Sequence, residues 1–512
     1  MKNVHSRTQL VTITALSATL AAAAVGSDVA WMVAASTVLM IALLVFVAPG
    51  GLTASQRIRR RLRRPVRHRN LRYSTSDIGT VWDGNAVSMY VAFLPSPFQI
   101  SVTDVPDPIL APPHVPLDLI RNHLVQGDIR LAEINVLSHS YRRFKRGPYN
   151  DAYQRMVGET PLPTQITTVI EVKVDLSRSH ESVKARATDG STPAALGRTA
   201  HIVAARLERK LNIEGYESRL LRRAEIDRFH ISVLANLNSG LQNEKWTYLG
   251  GDQPSVITRP AEWTARAAGK WYSVQAADRM ASAIRIQPGR FGAATVSGAI
   301  GYTYSQAPSL PEKSQMLRRA AGEQGDTASL LLPLAKTVEP SHTYGSLTLA
   351  EGDRFPIAIP GAGLGILLGS AVGGGRCFLN LQTGGESLYV HGPMEFVACL
   401  LARASAVGAT VGIHVDGPIW EQLAAVNPDL IEFKPAKARA IELYRDRAPR
   451  SPERQTAVVA WCPRGVPDNA IYSIRVGVDG AATISTPDGD VDFDWSVSAD
   501  EARYLPQPVA AY

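Results

Sequence analysis

The chain has 512 residues, enough for a membrane hairpin followed by two or three folded units. Its formal net charge is +8, but a run of nine arginines near residue 60 supplies that excess, so the rest of the chain is close to neutral. The three cysteines, Cys377, Cys399 and Cys462, are an odd and widely spaced set. They exclude a disulfide framework and a CxxC metal site, and they predict buried thiols in a reducing compartment.

Two apolar runs open the chain, at residues 10–25 and 29–47, with only Gly26-Ser27-Asp28 between them. A helix needs about 20 apolar residues to cross a bilayer, so residues 1–50 predict a transmembrane hairpin of two helices. The small residues at 21–24 leave a cleaved signal peptide as the alternative for the first run.

A basic juxtamembrane linker follows at residues 51–72. Basic residues next to a span stay on the cytoplasmic face, so the sequence predicts a multi-pass inner-membrane protein with a cytoplasmic soluble domain. Residues 51–71 hold no aromatic side chain to stack on bases, so we expect contact with membrane lipid and not with nucleic acid. The residues that carry this topology and lipid role are Arg57, Arg59, Arg60, Arg61, Arg63, Arg64, Arg67, Arg69 and Arg72.

Residues 73–305 predict a first cytoplasmic α/β lobe. Residues 78–93 predict a β-hairpin that turns near Asp83-Gly84. A proline-rich loop follows at 106–116. Further strands are predicted at 133–138, 167–174, 280–286 and 293–304, and helices at 118–124, 193–211 and 224–237.

Prolines and charges at residues 306–345 predict a linker, and residues 346–512 a second α/β lobe. Here a strand at 378–381, a helix at 393–406 and a strand at 409–415 form a β-α-β pattern. Residues 439–454 predict a charged linker, and the last strands fall at 458–461, 472–478 and 482–484. The fold class is a mixed α+β and α/β soluble domain anchored by the hairpin.

The glycine-rich segment at residues 360–366 invites comparison with nucleotide-binding loops. A dinucleotide fingerprint needs a third glycine where Ile366 stands. A Walker loop read from Gly369 meets Gly375 where a lysine is required. Both patterns fail, so we expect a structural turn, and no ATPase activity and no cofactor.

The alternating acids Asp488, Asp490, Asp492 and Asp494 would share one face of a strand. We expect a solvated acidic edge. A divalent-cation site is the alternative, and with it a membrane-anchored, metal-dependent glycosyltransferase. His139 and His230 are expected to be hydrogen-bonded core or surface groups. No spacing supports a catalytic, cofactor-binding or metal-binding residue, so the sequence predicts no enzyme.

The order of short motifs is more specific than any one of them. After the hairpin and the arginines come Val81-Trp82-Asp83-Gly84, Leu117-Asp118, Ser138-His139, and Gly147-Pro148 ahead of Tyr153. Then follow Glu244-Lys245-Trp246, Pro360-Gly361-Ala362-Gly363, and Ser498-Ala499-Asp500-Glu501-Ala502-Arg503-Tyr504-Leu505. In this order the chain resembles EccE, a membrane component of mycobacterial ESX (type VII) secretion systems. It departs at Ile78-Gly79-Thr80, where related chains more often have an arginine before the tryptophan.

The resemblance implies a structural, non-enzymatic subunit that is peripheral in an inner-membrane secretion complex and supports its stability. The implied partners are EccB, EccC and EccD, together with an associated mycosin protease. The ATPase activity of such systems belongs to EccC, which agrees with the failed Walker pattern in this chain.

Overall fold

The computed structural model describes residues 71–73, 78–82, 85–104, 111–187, 191–305, 316–333, 345–381, 385–449 and 456–506. The predicted transmembrane hairpin and its alternative, a signal peptide, lie outside these residues. So do the predicted turn at Asp83-Gly84 and eight of the nine linker arginines; the ninth, Arg72, is described. Within the described ranges, no helix combines the length and the apolar character that crossing a bilayer requires.

The strands of the described residues are β1 (Leu71–Tyr73), β2 (Thr80–Trp82), β3 (Ala86–Phe93), β4 (Ile100–Thr103), β5 (Val125–Gln126), β6 (Ile129–Arg130), β7 (Glu133–Tyr141), β8 (Gln165–Asp175), β9 (Ser218–Leu220), β10 (Ser255–Pro260), β11 (Arg279–Pro288), β12 (Ala294–Thr303), β13 (Leu317–Arg319), β14 (Leu347–Leu349), β15 (Ile366–Ala371), β16 (Arg376–Leu379), β17 (Ser387–His391), β18 (Val411–Ile413), β19 (Ile431–Phe433), β20 (Ile441–Arg445), β21 (Ala457–Trp461), β22 (Tyr472–Val476), β23 (Ala481–Thr486) and β24 (Gly489–Trp495).

The helices are α1 (Leu117–Asn122), α2 (Pro148–Val157), α3 (His180–Ala185), α4 (Thr192–Ile213), α5 (Arg223–Gln242), α6 (Ala265–Tyr272), α7 (Gln324–Ala328), α8 (Met394–Ala406), α9 (Pro418–Val426) and α10 (Ala499–Ala502), and a 3-10 turn spans Ser329–Leu331. The longest, α4, begins where Ser191 accepts a hydrogen bond from the Ala194 amide, with Pro193 in its first turn.

The first sheet is antiparallel, with the order β1-β2-β3-β8-β7-β11-β12-β10-β13, and β9 and β14 pair with β3 and β12. Its strands carry apolar side chains on both faces, because helices cover both. Leu196, Val203 and Leu207 of α4 pack on one face, and Phe229 and Val233 of α5 pack on the other. Because both faces of the sheet are buried, successive residues of a strand are apolar, and the sequence of such a strand is a long apolar run.

The second sheet has the order β19-β18-β20-β21-β17-β22-β23-β24-β15-β16-β4. From β19 to β22 all neighbours are parallel, and from β22 to β4 all are antiparallel. The crossover from β17 through α8 to β18 forms a β-α-β unit, and α8 is buried along nearly its whole length in the second core. The helix and the second strand are the predicted ones, but the first strand is β17 and not the predicted strand at 378–381, which overlaps β16. The parallel half needs such crossovers because neighbouring strands run in the same direction.

Two local predictions are wrong, one strand is missing from the predictions, and the predicted linker at 306–345 contains short elements. The predicted charged linker at 439–454 contains β20, where Ile441 and Leu443 alternate with polar residues and enter the core. Strand β17, missed in the sequence, leads into α8. Strand β24 pairs on both sides, so the acidic residues do not form a sheet edge. Within the predicted linker at 306–345, residues 317–319 and 324–331 form β13, α7 and the 3-10 turn.

Candidate functional site

Several motifs that are far apart in the sequence meet where the two sheets contact each other. Helix α2 carries Tyr149 and Tyr153, and both side chains belong to the core of the second sheet although α2 lies between strands of the first. The Tyr153 hydroxyl accepts a hydrogen bond of 3.0 Å from the Leu367 amide in β15. Tyr149 donates one of 3.0 Å to Glu501 in α10. Three of the motifs quoted for the resemblance, those around Tyr153, the glycine-rich segment and Glu501, therefore share one junction.

The centre of this junction is a buried ion pair between Arg403 of α8 and Glu501. The guanidinium makes two hydrogen bonds of 2.8 Å to the carboxylate, and the two side chains are 2% and 0% exposed. The remaining donors of Arg403 bond the carbonyl oxygens of Leu367 (2.9 Å), Leu368 (3.0 Å) and Ser496 (2.8 Å). A buried bidentate pair with its other donors satisfied fixes the elements that carry it.

The surroundings keep the Arg403 guanidinium charged and its titratable neighbours Tyr149 and Cys399 neutral. Burial alone lowers the pKa of Arg403, but the nearby Cys399 and the Glu501 carboxylate raise it by more, so the net pKa is raised. Burial raises the pKa of the Tyr149 hydroxyl far above its usual range. It also raises the pKa of Cys399 to about 12, which keeps this thiol protonated and unreactive at neutral pH. The junction is closed to solvent, and its polar groups hold neighbouring elements together.

The glycine-rich segment forms the second part of the junction. A Cβ atom on Gly363 would lie 2.4 Å from the Thr164 carbonyl oxygen, and one on Gly365 would lie 2.1 Å from that of Leu379. Gly365 also has φ = +94° and donates a hydrogen bond of 2.7 Å to Thr164. The segment is thus a turn packed against backbone, as the sequence predicts, and it ties β15 to the residues that precede β8.

The structure places the acidic residues apart from this junction. Asp490, Asp492 and Asp494 share the exposed face of β24, which confirms the predicted alternation. Thr483 donates a hydrogen bond of 2.6 Å to Asp492. Across the residues that the structure describes, no group of three or more His, Cys, Asp or Glu side chains has the arrangement of a metal site.

Of the nine predicted topology residues, the structure describes Arg72 alone. Arg72 lies in β1, which pairs with β2 at one edge of the first sheet. The other eight arginines precede the described part of the chain. The three cysteines are free and buried, as predicted.

Both named histidines are buried. His139 lies at the centre of the first sheet, where its ring packs edge-on against Tyr141 at 4.5 Å. The Nε2 atom of His139 has no hydrogen-bond partner among the described residues, so its predicted hydrogen bonding is incomplete. Burial lowers the pKa of His139 to about 3, with a smaller contribution from the charge of Arg279.

A second set of buried charged residues was not predicted from the sequence. Glu133 of β7 accepts hydrogen bonds from Lys173 of β8 at 3.1 Å and from Arg285 of β11 at 2.6 Å. Asn135 joins Glu133 to the buried Glu171. The signal in the sequence is a charged residue at every second position of otherwise apolar strands, as at Glu171 and Lys173. Arg403 gives a related signal, because it is a single charged residue among the apolar residues of helix α8.

The family comparison matches a segment that includes β8, an inner strand of the first sheet. A family model described as "EccE: Putative type VII ESX secretion system translocon, EccE" matches residues 162–258. The predicted likeness to EccE is confirmed. No curated protein matches the chain at a significant level.

The EccE-matched segment, residues 162–258, runs from the approach to β8 through α3, α4, β9 and α5 into β10. Strand β8 lies between β3 and β7, so the matched segment supplies one inner strand of the first sheet and helices on both of its faces. One motif quoted for the likeness lies inside it. There Glu244 accepts a hydrogen bond of 3.0 Å from the Gly325 amide at the start of α7.

Proposed function

We propose that this protein is a structural subunit of an inner-membrane type VII (ESX) secretion complex of the mycobacterial kind, peripheral in the assembly and supporting its stability. The observation that carries the proposal is the EccE match to residues 162–258, the segment that contributes the inner strand β8 and the helices α4 and α5 to the first sheet. The translocon role named for that family is the function proposed for this chain. No catalytic step is assigned to it.

The proposed topology places the N-terminus and the two-sheet domain in the cytoplasm, with residues 10–25 and 29–47 crossing the membrane. It is supported by charge. The nine arginines of the juxtamembrane linker oppose export of the chain that follows, whereas the connector at residues 26–28 carries only Asp28. The arginines also attract anionic lipid, at about 1 kcal/mol for each basic residue near the surface.

The proposed partners are EccB, EccC and EccD in the membrane, with a mycosin protease associated with the same assembly. The two-sheet domain offers them a continuous surface, because the glycine turn bonds β15 of the second sheet to the residues before β8 of the first. Tyr149 and Tyr153, from a helix between strands of the first sheet, also pack in the second core. Small residues in the two apolar runs, such as Ala34-Ala35-Ser36, allow close packing against neighbouring transmembrane helices.

Replacing all nine arginines with glutamine tests the proposal, with replacement by lysine as the matched control because lysine keeps the charge. We expect the glutamine variant to recover much less EccB, EccC and EccD in a tagged purification from mild detergent, and the lysine variant to recover them as the unaltered protein does. Equal recovery from the glutamine variant would count against a role of the arginines in assembly or placement.

A further inference from the structure

One end of the first sheet holds a basic cleft that the junction does not involve. The cleft has a volume of about 780 Å³ and is lined by Arg121, Arg130, Arg178, Glu351, Val125 and Gly292, among others. This volume lies in the range of small-molecule sites, roughly 300–1,000 Å³. The sequence gives no hint of it, because the three arginines come from separate elements.

The charge of the cleft is positive and accessible. Arg130 and Arg178 are exposed, and neither side chain forms an ion pair in the described part of the chain. Arg121 approaches Asp118 at 3.8 Å and donates a long hydrogen bond of 3.5 Å to the Ala350 carbonyl oxygen. Glu351 is the one acidic side chain among the lining residues. With three arginines and one glutamate, the cleft favours an anion with several oxygen atoms, such as a phosphate group.

Exposed apolar side chains flank the same cleft. The tight turn between β11 and β12 forms one wall, and Phe291 at its tip is 99% exposed. Its φ is +55°, a left-handed conformation that is rare for a bulky residue. Arg290 lies beside it. Val125, on the small β5–β6 hairpin, is 54% exposed. A basic cleft with an aromatic side chain projecting beside it suits a membrane surface, where phosphate lies above hydrocarbon.

The register of the first sheet relates this cleft to the membrane anchor. Leu71, the first residue of β1, pairs with Trp82 of β2. Trp82 pairs in turn with Val87 of β3, and Val87 pairs with Val174 of β8, so these residues form one row across the sheet. The same row continues across β7 to the end of β11 at Pro288, beside the exposed turn. The chain therefore enters the first sheet from the arginine-rich linker at the end that bears the cleft. Five steps between strands separate β1 from β11, a distance of roughly 24 Å.

We infer that this cleft binds the phosphate head group of an anionic phospholipid, with Phe291 inserted among the acyl chains. Arg130 and Arg178 contact the phosphate oxygens, and Arg121 lines the floor. The end of the first sheet then faces the bilayer at two points, the linker at β1 and the cleft at β11. The inference rests on the membrane location in the proposed function, and adds to it a lipid-binding surface in the folded domain.

A fluorescent label at residue 291 of the full chain tests the inference. Phe291→Cys is labelled with the polarity-sensitive dye NBD, which selects this site because the three native thiols are buried. The protein is placed in nanodiscs of phosphatidylcholine, with or without phosphatidylglycerol. Val478→Cys is the matched control, since Val478 is an equally exposed apolar residue (105%) in a turn of the second sheet.

We expect the emission at position 291 to shift to the blue in phosphatidylglycerol nanodiscs and to be quenched by nitroxide-labelled acyl chains, and the label at 478 to show neither effect. Arg130→Gln and Arg178→Gln should each lower the ratio of inserted to water-exposed label about fivefold. A label at 291 that stays in water while the chain remains in the nanodisc overturns the cleft inference alone. A chain that fails to enter nanodiscs overturns the membrane location itself. An equal response to inorganic phosphate in detergent would show that free phosphate suffices, and would also overturn the inference.

Discussion

At the scale of single residues, Arg403 and Glu501 form a bidentate ion pair that is almost completely buried. Each is buried at the junction, and the charge of each is compensated mainly by the other. The sequence shows an arginine in an apolar helix and an acid in a terminal motif, but no local pattern pairs residues 98 positions apart. The pair could therefore not be predicted, although each member is conspicuous by itself.

Glu501→Gln should destabilise the folded chain by about 3–5 kcal/mol, because it leaves the Arg403 charge buried without a counter-charge. The neighbouring Asp500→Asn is the control. Asp500 is 46% exposed and pairs with the exposed Arg155, so its loss should cost at most about 1 kcal/mol. Urea unfolding of both variants in the same detergent measures the difference. Similar midpoints for the two variants would show that the pair does not stabilise the junction.

His139 should make the stability depend on pH. Its folded pKa of about 3 is below the unfolded value of 6.5, so between these values the unfolded chain binds more protons. The free energy of unfolding therefore falls as the pH drops from 6.5, by up to about 1.4 kcal/mol for each pH unit. His139→Phe should flatten this dependence, and the exposed His201→Gln should not. Unfolding midpoints at pH 7, 6 and 5 test this, and parallel curves for the His139 variant and the parent would refute it.

At the scale of elements, the sequence predicts several of the long helices and strands, and it misses the ten-residue helix α2 together with some short strands. Helix α4 and strand β8 were placed within a few residues because their apolar spacing is regular over many positions. Strand β17 was missed, and β20 was taken for linker, because five residues give little periodicity and the surrounding residues are charged. Tertiary pairing, which the sequence does not display, decides such short strands.

The glycine turn gives a prediction at this scale. Gly365→Ala should destabilise the chain by about 1–3 kcal/mol or more, since alanine is strained at its positive φ and its Cβ would meet the Leu379 carbonyl. Gly373→Ala is the matched control, because a Cβ there would meet nothing within 4 Å. Thermal unfolding of the two variants compares them. A Gly365 variant as stable as the Gly373 variant would show that the turn tolerates a side chain.

At the scale of the whole molecule, the chain crosses between the two sheets more often than its pattern suggests. Strand β3 belongs to the first sheet and β4 to the second, and α2 packs in the second core. The division into lobes at residues 73–305 and 346–512 stays a prediction. The sequence could not reveal these crossings, because a strand such as β4 has the same local pattern whichever sheet it joins.

A fragment of residues 346–512 should therefore not fold stably alone. It lacks β4, which pairs with β16, and it lacks Tyr149 and Tyr153, which fill the second core. The edge of β16 and a cavity would both be exposed. Coexpression with residues 73–305 should restore a soluble complex. A soluble fragment 346–512 that unfolds cooperatively by itself would contradict this expectation.

The proposed role of this protein is that of a subunit of an ESX membrane complex. The most direct test is purification of the tagged, full-length chain from its native membranes in mild detergent, followed by identification of the proteins that accompany it. We expect EccB, EccC and EccD to be recovered in constant proportion to the tagged chain. A tagged chain that is recovered intact, in quantity and without them would contradict it.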